Sequence, residues 1–218
     1  MPISSFLAPS AIAKPGVCTS STRPASPYEG QVIYETDTDK AQVWNGSAWV
    51  LLSTGTANPP GLEFITSQTI GTAVASVSVS DAFNSNFDSY RVVMRNTNAA
   101  GGAVEVRLTL GAITTSYFST LRRDFYDGTL TAFTRVSNGA YFVVAYGGAA
   151  SNTGFSVDIL NPYNTARTQC CGQYAQGLSA GWAAGECSDT SSVTSLTVTP
   201  SSSTFTGGTI TVYGYRRA

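Results

Sequence analysis

Gly177-Leu178-Ser179-Ala180-Gly181 spells the G-x-S-x-G pattern of a serine nucleophile elbow. That chemistry needs an imidazole to take the hydroxyl proton, and the chain contains no histidine. The segment also lacks a strand-to-helix setting, so it reads as a glycine-rich loop between strands. Paired carboxylates could cleave a glycosidic bond, but the acids of the long C-terminal part are sparse and no repetitive β-helix pattern accompanies them. No enzymatic activity is expected. Asp37-Thr38-Asp39 offers too few oxygens for a hard cation and reads as a polar hairpin turn. With no histidine and no C-x-x-C pair, a zinc site is not expected either, nor any cofactor.

Binding chemistry is better represented. A loop that holds a sugar or a protein receptor presents an aromatic face beside amide or carboxylate hydrogen-bonding groups. Asn161-Pro162-Tyr163-Asn164 fits this best: Asn-Pro favours a turn and puts Tyr163 at its tip, between Asn161 and Asn164. Asp127, Asn138 and Trp182 are further candidates, although Trp182 reads more readily as a core residue.

The elements that carry these residues follow from composition. Charged residues make up 11% of the 218, so water is met mostly by Ser, Thr, Asn and Gly, which suit turns and strand faces. A net charge of −1 gives no general grip on nucleic acid, and the pairs Arg122-Arg123 and Arg216-Arg217 read as strand ends. No run approaches the length of a membrane span, so no membrane insertion is expected. The first residues have neither a basic region nor a continuous apolar one, which makes a poor secretory signal. The cysteines Cys18, Cys170, Cys171 and Cys187 are expected to be reduced and mostly buried; a bridge from Cys187 to Cys170 or Cys171 is an open alternative.

Residues 1–21 read as an extended arm. Its prolines oppose helix and sheet, and Phe6, Leu7 and Ile12 are its apolar contacts for another surface. Residues 22–53 form a small β-hairpin or meander module. Its Asn45-Gly46-Ser47-Ala48 turn sets Trp44 opposite Trp49. At this size Tyr34, Trp44 and Trp49 need a partner surface, which copies of the chain would supply. Residues 54–61 are a linker. From 62 to 218 short strands alternate with Gly, Asn, Asp and Ser clusters. Val104, Val106, Leu108 and Leu110 fall on one face and Glu105, Arg107 and Thr109 on the other. Without intervening helices, this predicts an all-β fold whose main domain is an antiparallel, jelly-roll-like β-sandwich.

Arg23-Pro24, the stretch Glu29-Gly30-Gln31-Val32-Ile33-Tyr34-Glu35-Thr36-Asp37-Thr38, and Trp44-Asn45-Gly46 with Trp49 together resemble a module of bacteriophage tail-fibre and virion fibre proteins. The closing run Thr206 to Arg216 also looks like the C-terminal strand of such proteins. The resemblance covers about 30 residues and implies a homotrimeric particle component, assembled in the host cytoplasm and held by other virion proteins of tail, baseplate or capsid. The expected role is a tail fibre or receptor-binding adhesin for host attachment. The alternative is a capsid decoration or head-fibre protein.

Overall fold

The computed structural model describes residues 15–52, 61–101, 104–129, 131–148 and 152–216, and the chain divides into two compact units, Met1–Asn58 and Pro59–Ala218. Every regular element among the described residues is a strand.

The first unit is a four-stranded sheet of Gly16–Cys18 (β1), Val32–Glu35 (β2), Lys40–Trp44 (β3) and Trp49–Leu51 (β4), in that spatial order. β2, β3 and β4 form an antiparallel meander, and β1 lies parallel to β2. The Asn45 side chain builds the second turn: its Oδ1 accepts the backbone N–H groups of Ser47 at 3.0 Å and Ala48 at 2.8 Å. Gly46 takes a positive φ of 94° there, which only glycine adopts without cost. Trp44 and Trp49 pair across the turn, as their spacing predicts. The arm expected over 1–21 is corrected at its end. Gly16 to Cys18 joins the sheet, because this stretch follows Pro15 and contains no proline to block a ladder. Ser20 holds it in place by donating its backbone N–H to Asp37 at 2.9 Å. Phe6, Leu7 and Ile12 lie outside the described residues, as does the expected linker apart from Gly61.

The second unit is a sandwich of two sheets. Its strands are Leu62–Thr69 (β5), Val77–Val79 (β6), Ser89–Ala99 (β7), Val104–Leu110 (β8), Tyr117–Phe125 (β9), Thr131–Gly139 (β10), Phe142–Gly147 (β11), Thr153–Leu160 (β12), Thr168–Gln176 (β13), Ser179–Cys187 (β14), Leu196–Pro200 (β15), Phe205–Thr206 (β16) and Thr209–Tyr215 (β17). The small sheet runs β11-β8-β15-β6. The large one runs β10-β9-β14-β13-β12-β7-β17-β5, with β16 paired to β7 off this path.

This order is a jelly roll with two additions. Successive strands β5 to β8 alternate between the sheets, then β11 and β12, then β15 and β17. They settle as β5-β17-β7-β12 facing β6-β15-β8-β11, the eight-stranded double Greek key. The hairpin β9–β10 is inserted between β8 and β11, and β13–β14 between β12 and β15. Both join the large sheet beyond β12 and extend it by four strands.

Alternation explains the core. β8 buries Val104, Val106, Leu108 and Leu110 and leaves the residues between them part-exposed. Val92 and Met94, Val157 and Ile159, and Ile210 and Val212 meet them from β7, β12 and β17. Each fully buried side chain of this size contributes about 1.5–3 kcal/mol of transfer free energy. Fully buried tyrosines place their hydroxyls on backbone groups: Leu110 donates its N–H to Tyr117 at 2.8 Å, and Tyr90 donates to the Asn84 carbonyl at 2.6 Å. All four cysteines are free thiols. Cys170 and Cys187 are buried, Cys18 is half-buried and Cys171 is exposed. Burial pushes the Cys170 thiol far up, so it stays protonated and behaves as a small apolar group.

Candidate functional site

Along β13 and β14 of the inserted hairpins, side chains alternate between the sandwich interior and water. In β14, Ser179, Ala183 and Cys187 are buried while Trp182 and Ala184 are exposed. Cross-strand register then fixes the pattern of the outer face. Trp182 lies opposite Gln173 of β13 on one side and Arg122 of β9 on the other, and Arg122 lies opposite Phe133 of β10. One row along, Arg135, Thr120 and Ala184 follow one another across the same three strands, with Phe118 opposite Glu186 beyond them. Trp182, Phe118 and Phe133 are 46%, 41% and 54% exposed, an unusual density of aromatic surface for one sheet face.

Two depressions flank the Trp182 indole. The wider, of about 610 Å³, lies over β10, β9 and β14 between Phe118, Thr120, Arg135, Val136 and Ala184. The narrower, of about 300 Å³, lies over β14, β13, β12 and β7 between Arg91, Ser156, Asp158 and Gln173. Its polar floor is fixed. Asp158 receives both Nε and Nη2 of Arg91, at 2.8 and 2.9 Å, and the Tyr215 hydroxyl at 2.7 Å. Burial pushes the Asp158 carboxyl up, but these donors outweigh it and hold it below the ordinary carboxylate range. Burial and the bond to Asp158 push the Tyr215 phenol up to about 12, so it remains a donor at any physiological pH. Gln173 and Ser156 add an amide and a hydroxyl at the rim. An apolar ring face beside fixed donors and acceptors suits a flat ligand with one apolar side and hydroxyls at its edge.

The residues picked out by the sequence do not converge. Asn161, Tyr163 and Asn164 share one loop, but the loop is braced. Asn161 takes a positive φ of 61° and gives its N–H to the Asp88 carbonyl at 2.7 Å. Asn164 Nδ2 donates to Asp88 at 3.2 Å, and the Tyr163 ring packs on the core. Asp127 turns the β9–β10 hairpin and accepts the Thr129 N–H at 2.9 Å; hydrogen bonds from Thr129 hold its carboxyl below the usual range. Asn138 sits at the irregular end of β10 with a φ of 52°. Trp182 is the member on the open face, and the core reading of it is corrected: its even-numbered place in β14 points it away from the interior. Tyr34, half-buried in the first unit, donates its hydroxyl to Asp39 at 2.8 Å.

Ser179 is the first residue of a strand, not part of an open loop. The Gly177-Leu178 turn joins β13 to β14, and the Ser179 hydroxyl is buried, accepting Arg123 Nε at 3.1 Å and Gln176 Nε2 at 3.0 Å. Gly181 is required by packing, since a Cβ there would stand 1.8 Å from the Arg122 carbonyl oxygen. The nucleophile-like spelling is therefore accounted for by sheet packing. Among the described residues no three His, Cys, Asp or Glu side chains gather as metal ligands.

The sequence reading missed Phe118, Phe133, Arg135 and Gln173. The available signal was the alternation within Tyr117–Phe125 and Thr131–Gly139, where aromatics occupy the solvent face and so disguise it.

No protein-family model and no curated protein matches the chain. Among solved structures it is similar to the "CBM2 module of Lactobacillus casei BL23 phage J-1 evolved Dit", at 10% identity over 74% of this chain and 81% of that one, with a TM-score of 0.19. A superposition that poor carries no argument about fold or function, and the reading of this chain rests on its own geometry.

Proposed function

We propose that the chain is a bacteriophage virion structural protein, a homotrimeric tail fibre or receptor-binding adhesin. It docks host-surface carbohydrate on the outer face of its large sheet. The observation that carries the binding reading is the placement of Trp182, 46% exposed, between a wider, largely apolar depression and a narrower one whose polar floor is held by the Arg91–Asp158–Tyr215 cluster. A rigid indole stacks on the apolar face of a pyranose, while Gln173, Ser156 and the cluster meet the hydroxyls. The virion assignment is supported by the fibre-type module over residues 22–50. We read the chain as acting by binding and not by turnover, since the Ser179 hydroxyl is buried and taken up by Arg123 Nε and Gln176 Nε2.

The test is adsorption competition. Purified full-length protein should block attachment of the parent phage to its host, and polysaccharide extracted from that host should relieve the block. Trp182→Ala should fold normally, because surface substitutions of this kind change stability by about 0.5 kcal/mol or less. It should nonetheless lose at least about tenfold in affinity, roughly 1.4 kcal/mol. A folded Trp182→Ala protein that competes as well as the parent sinks the proposal.

A further inference from the structure

Charge on the outer face is almost entirely neutralised in place. Arg91 is paired with Asp158 at 2.8 Å, Arg122 with Asp124 at 2.8 Å and Arg167 with Glu186 at 2.6 Å. Arg95 on β7 has no ion pair but donates its Nε to Thr209 at 3.2 Å, whereas Arg135 has no partner of either kind among the described residues. Arg135 is exposed on β10 and lines the wider depression. The rest of that depression is largely apolar, from Phe118, Val136, Trp182 and Ala184, and the one carboxylate that also lines it, Glu186, is paired with Arg167 at 2.6 Å. A single uncompensated guanidinium at one end of an aromatic groove is a complementary surface for a ligand with an apolar face and one negative charge.

We infer that the wider depression selects carboxylate-bearing sugars of the uronic acid type over neutral ones, with the pyranose ring on Trp182 and Phe118 and the carboxylate on Arg135. This rests on the reading of the face as a carbohydrate-docking surface and adds the chemical class of the ligand. The reach is suitable: Arg135 lies two strand spacings across and two residues along from Trp182, roughly 12 Å, or about two sugar units. The guanidinium fork accepts a carboxylate through two parallel N–H groups, which also orients the ring. The chain's net charge of −1 gives no long-range attraction for anions, so selection must come from this local contact.

The experiment titrates full-length protein against a panel of oligosaccharides that contain uronic acids, each alongside its carboxyl-reduced counterpart, with phosphate-linked sugar polymers as a third arm. The protein should prefer the acidic member by about two- to fivefold, the range of an exposed ion pair, and less at raised ionic strength. Arg135→Gln should abolish the preference, so that acidic and reduced members bind alike, and Arg135→Lys should retain part of it. Equal binding of the acidic and reduced members, an unaffected preference in Arg135→Gln, or a preference confined to the phosphate polymers overturns the inference but leaves carbohydrate docking standing. The absence of binding to every member, with no effect of Trp182→Ala, removes both. A change of oligomeric mass in Trp182→Ala also removes both, because the face would then be a contact between copies.

Discussion

Trp44 and Trp49 face each other at one register position of neighbouring strands, with ring centroids 5.6 Å apart and planes inclined at 62°. The edge-to-face pair ties β3 to β4 and adds about 0.5–1.5 kcal/mol beyond the burial of the rings. Both rings remain only half-buried within their own chain, and Val50 and Leu51 beside them are 37% and 58% exposed. In the homotrimer proposed above, neighbouring copies would cover this apolar surface. Sedimentation of the full-length protein should therefore give the mass of three chains. Trp44→Ala or Trp49→Ala should shift it toward single chains at micromolar concentration, and a parent protein that sediments as a monomer rules the trimer out.

The same module carries a pH dependence. Glu35 is fully buried and is held by Arg23 Nε and by the Thr38 hydroxyl at 2.8 Å. The Arg23 bond, assisted by Thr38, keeps its carboxyl below the ordinary value of 4.5 despite burial. A depressed carboxyl means that the unfolded chain takes up the proton first. The contribution is thus complete above about pH 4.5 and is lost as pH falls through the lower folded value. Arg23→Ala should move acid unfolding of the module to higher pH, because the buried carboxylate loses its cation. Acid titration followed by Trp44 and Trp49 fluorescence measures this, and an unmoved transition contradicts it.

The two aromatic candidates Tyr163 and Trp182 should separate cleanly. Tyr163 packs on the core and its loop is braced on Asp88, so Tyr163→Ala should lower stability by about 1–3 kcal/mol and leave binding intact in the folded fraction. Trp182→Ala should do the reverse. Thermal melts and adsorption assays on the same preparations distinguish them. Loss of adsorption in a fully folded Tyr163→Ala protein returns the site to the Asn161–Asn164 loop.

The contrast between these two residues also shows what the sequence made visible. The jelly-roll strands were legible wherever one face is apolar and the other polar, as in Val104–Leu110 and Thr209–Tyr215, and so was the turn that pairs Trp44 with Trp49. The inserted hairpins were not. Phe118, Phe133 and Trp182 place aromatics on the water side, which cancels the alternation that marks a strand. On the inner side, β13 and β14 carry Gly172, Gly181 and Gly185, residues that normally argue against a strand. They are there because a Cβ would meet neighbouring backbone oxygens at 2.2, 1.8 and 2.5 Å. Long-range packing thus chose residues that local patterning reads as loop, in the same four strands that build the candidate site.

Gly181 and Ser179 offer a direct check on that explanation. Gly181→Ala should prevent folding of the sandwich or destabilise it by more than the 1–3 kcal/mol usual for overpacking, since the clash is with the Arg122 carbonyl and not with a movable side chain. Ser179→Ala should cost about 1–3 kcal/mol by leaving Arg123 Nε and Gln176 Nε2 without their acceptor. It should alter no hydrolytic activity in any ester or glycan assay. Activity that disappears with Ser179 would restore the nucleophile reading.

The N-terminal residues should divide at Pro15. On the proposed virion role Phe6, Leu7 and Ile12 are expected to contact another virion protein, whereas Gly16 to Cys18 forms β1 and pairs with Ile33, Tyr34 and Glu35. Deleting residues 1–14 leaves that pairing intact. The product should be soluble, with an unchanged melting profile and an unchanged oligomeric mass, yet missing from assembled particles. Deleting residues 1–21 goes further: it removes β1, uncovers the edge of β2 and takes away the Ser20 donors to Asp37, whose carboxyl those bonds hold below the usual range. This longer deletion should lower the acid and thermal stability of the module as well as abolish incorporation. Mass spectrometry of purified virions, set beside melts of the two purified proteins, separates the two effects. Normal incorporation of the 1–14 deletion would move the anchor into the β module or the sandwich, whereas equal stability of the two deletions would show that β1 contributes nothing to the sheet it joins.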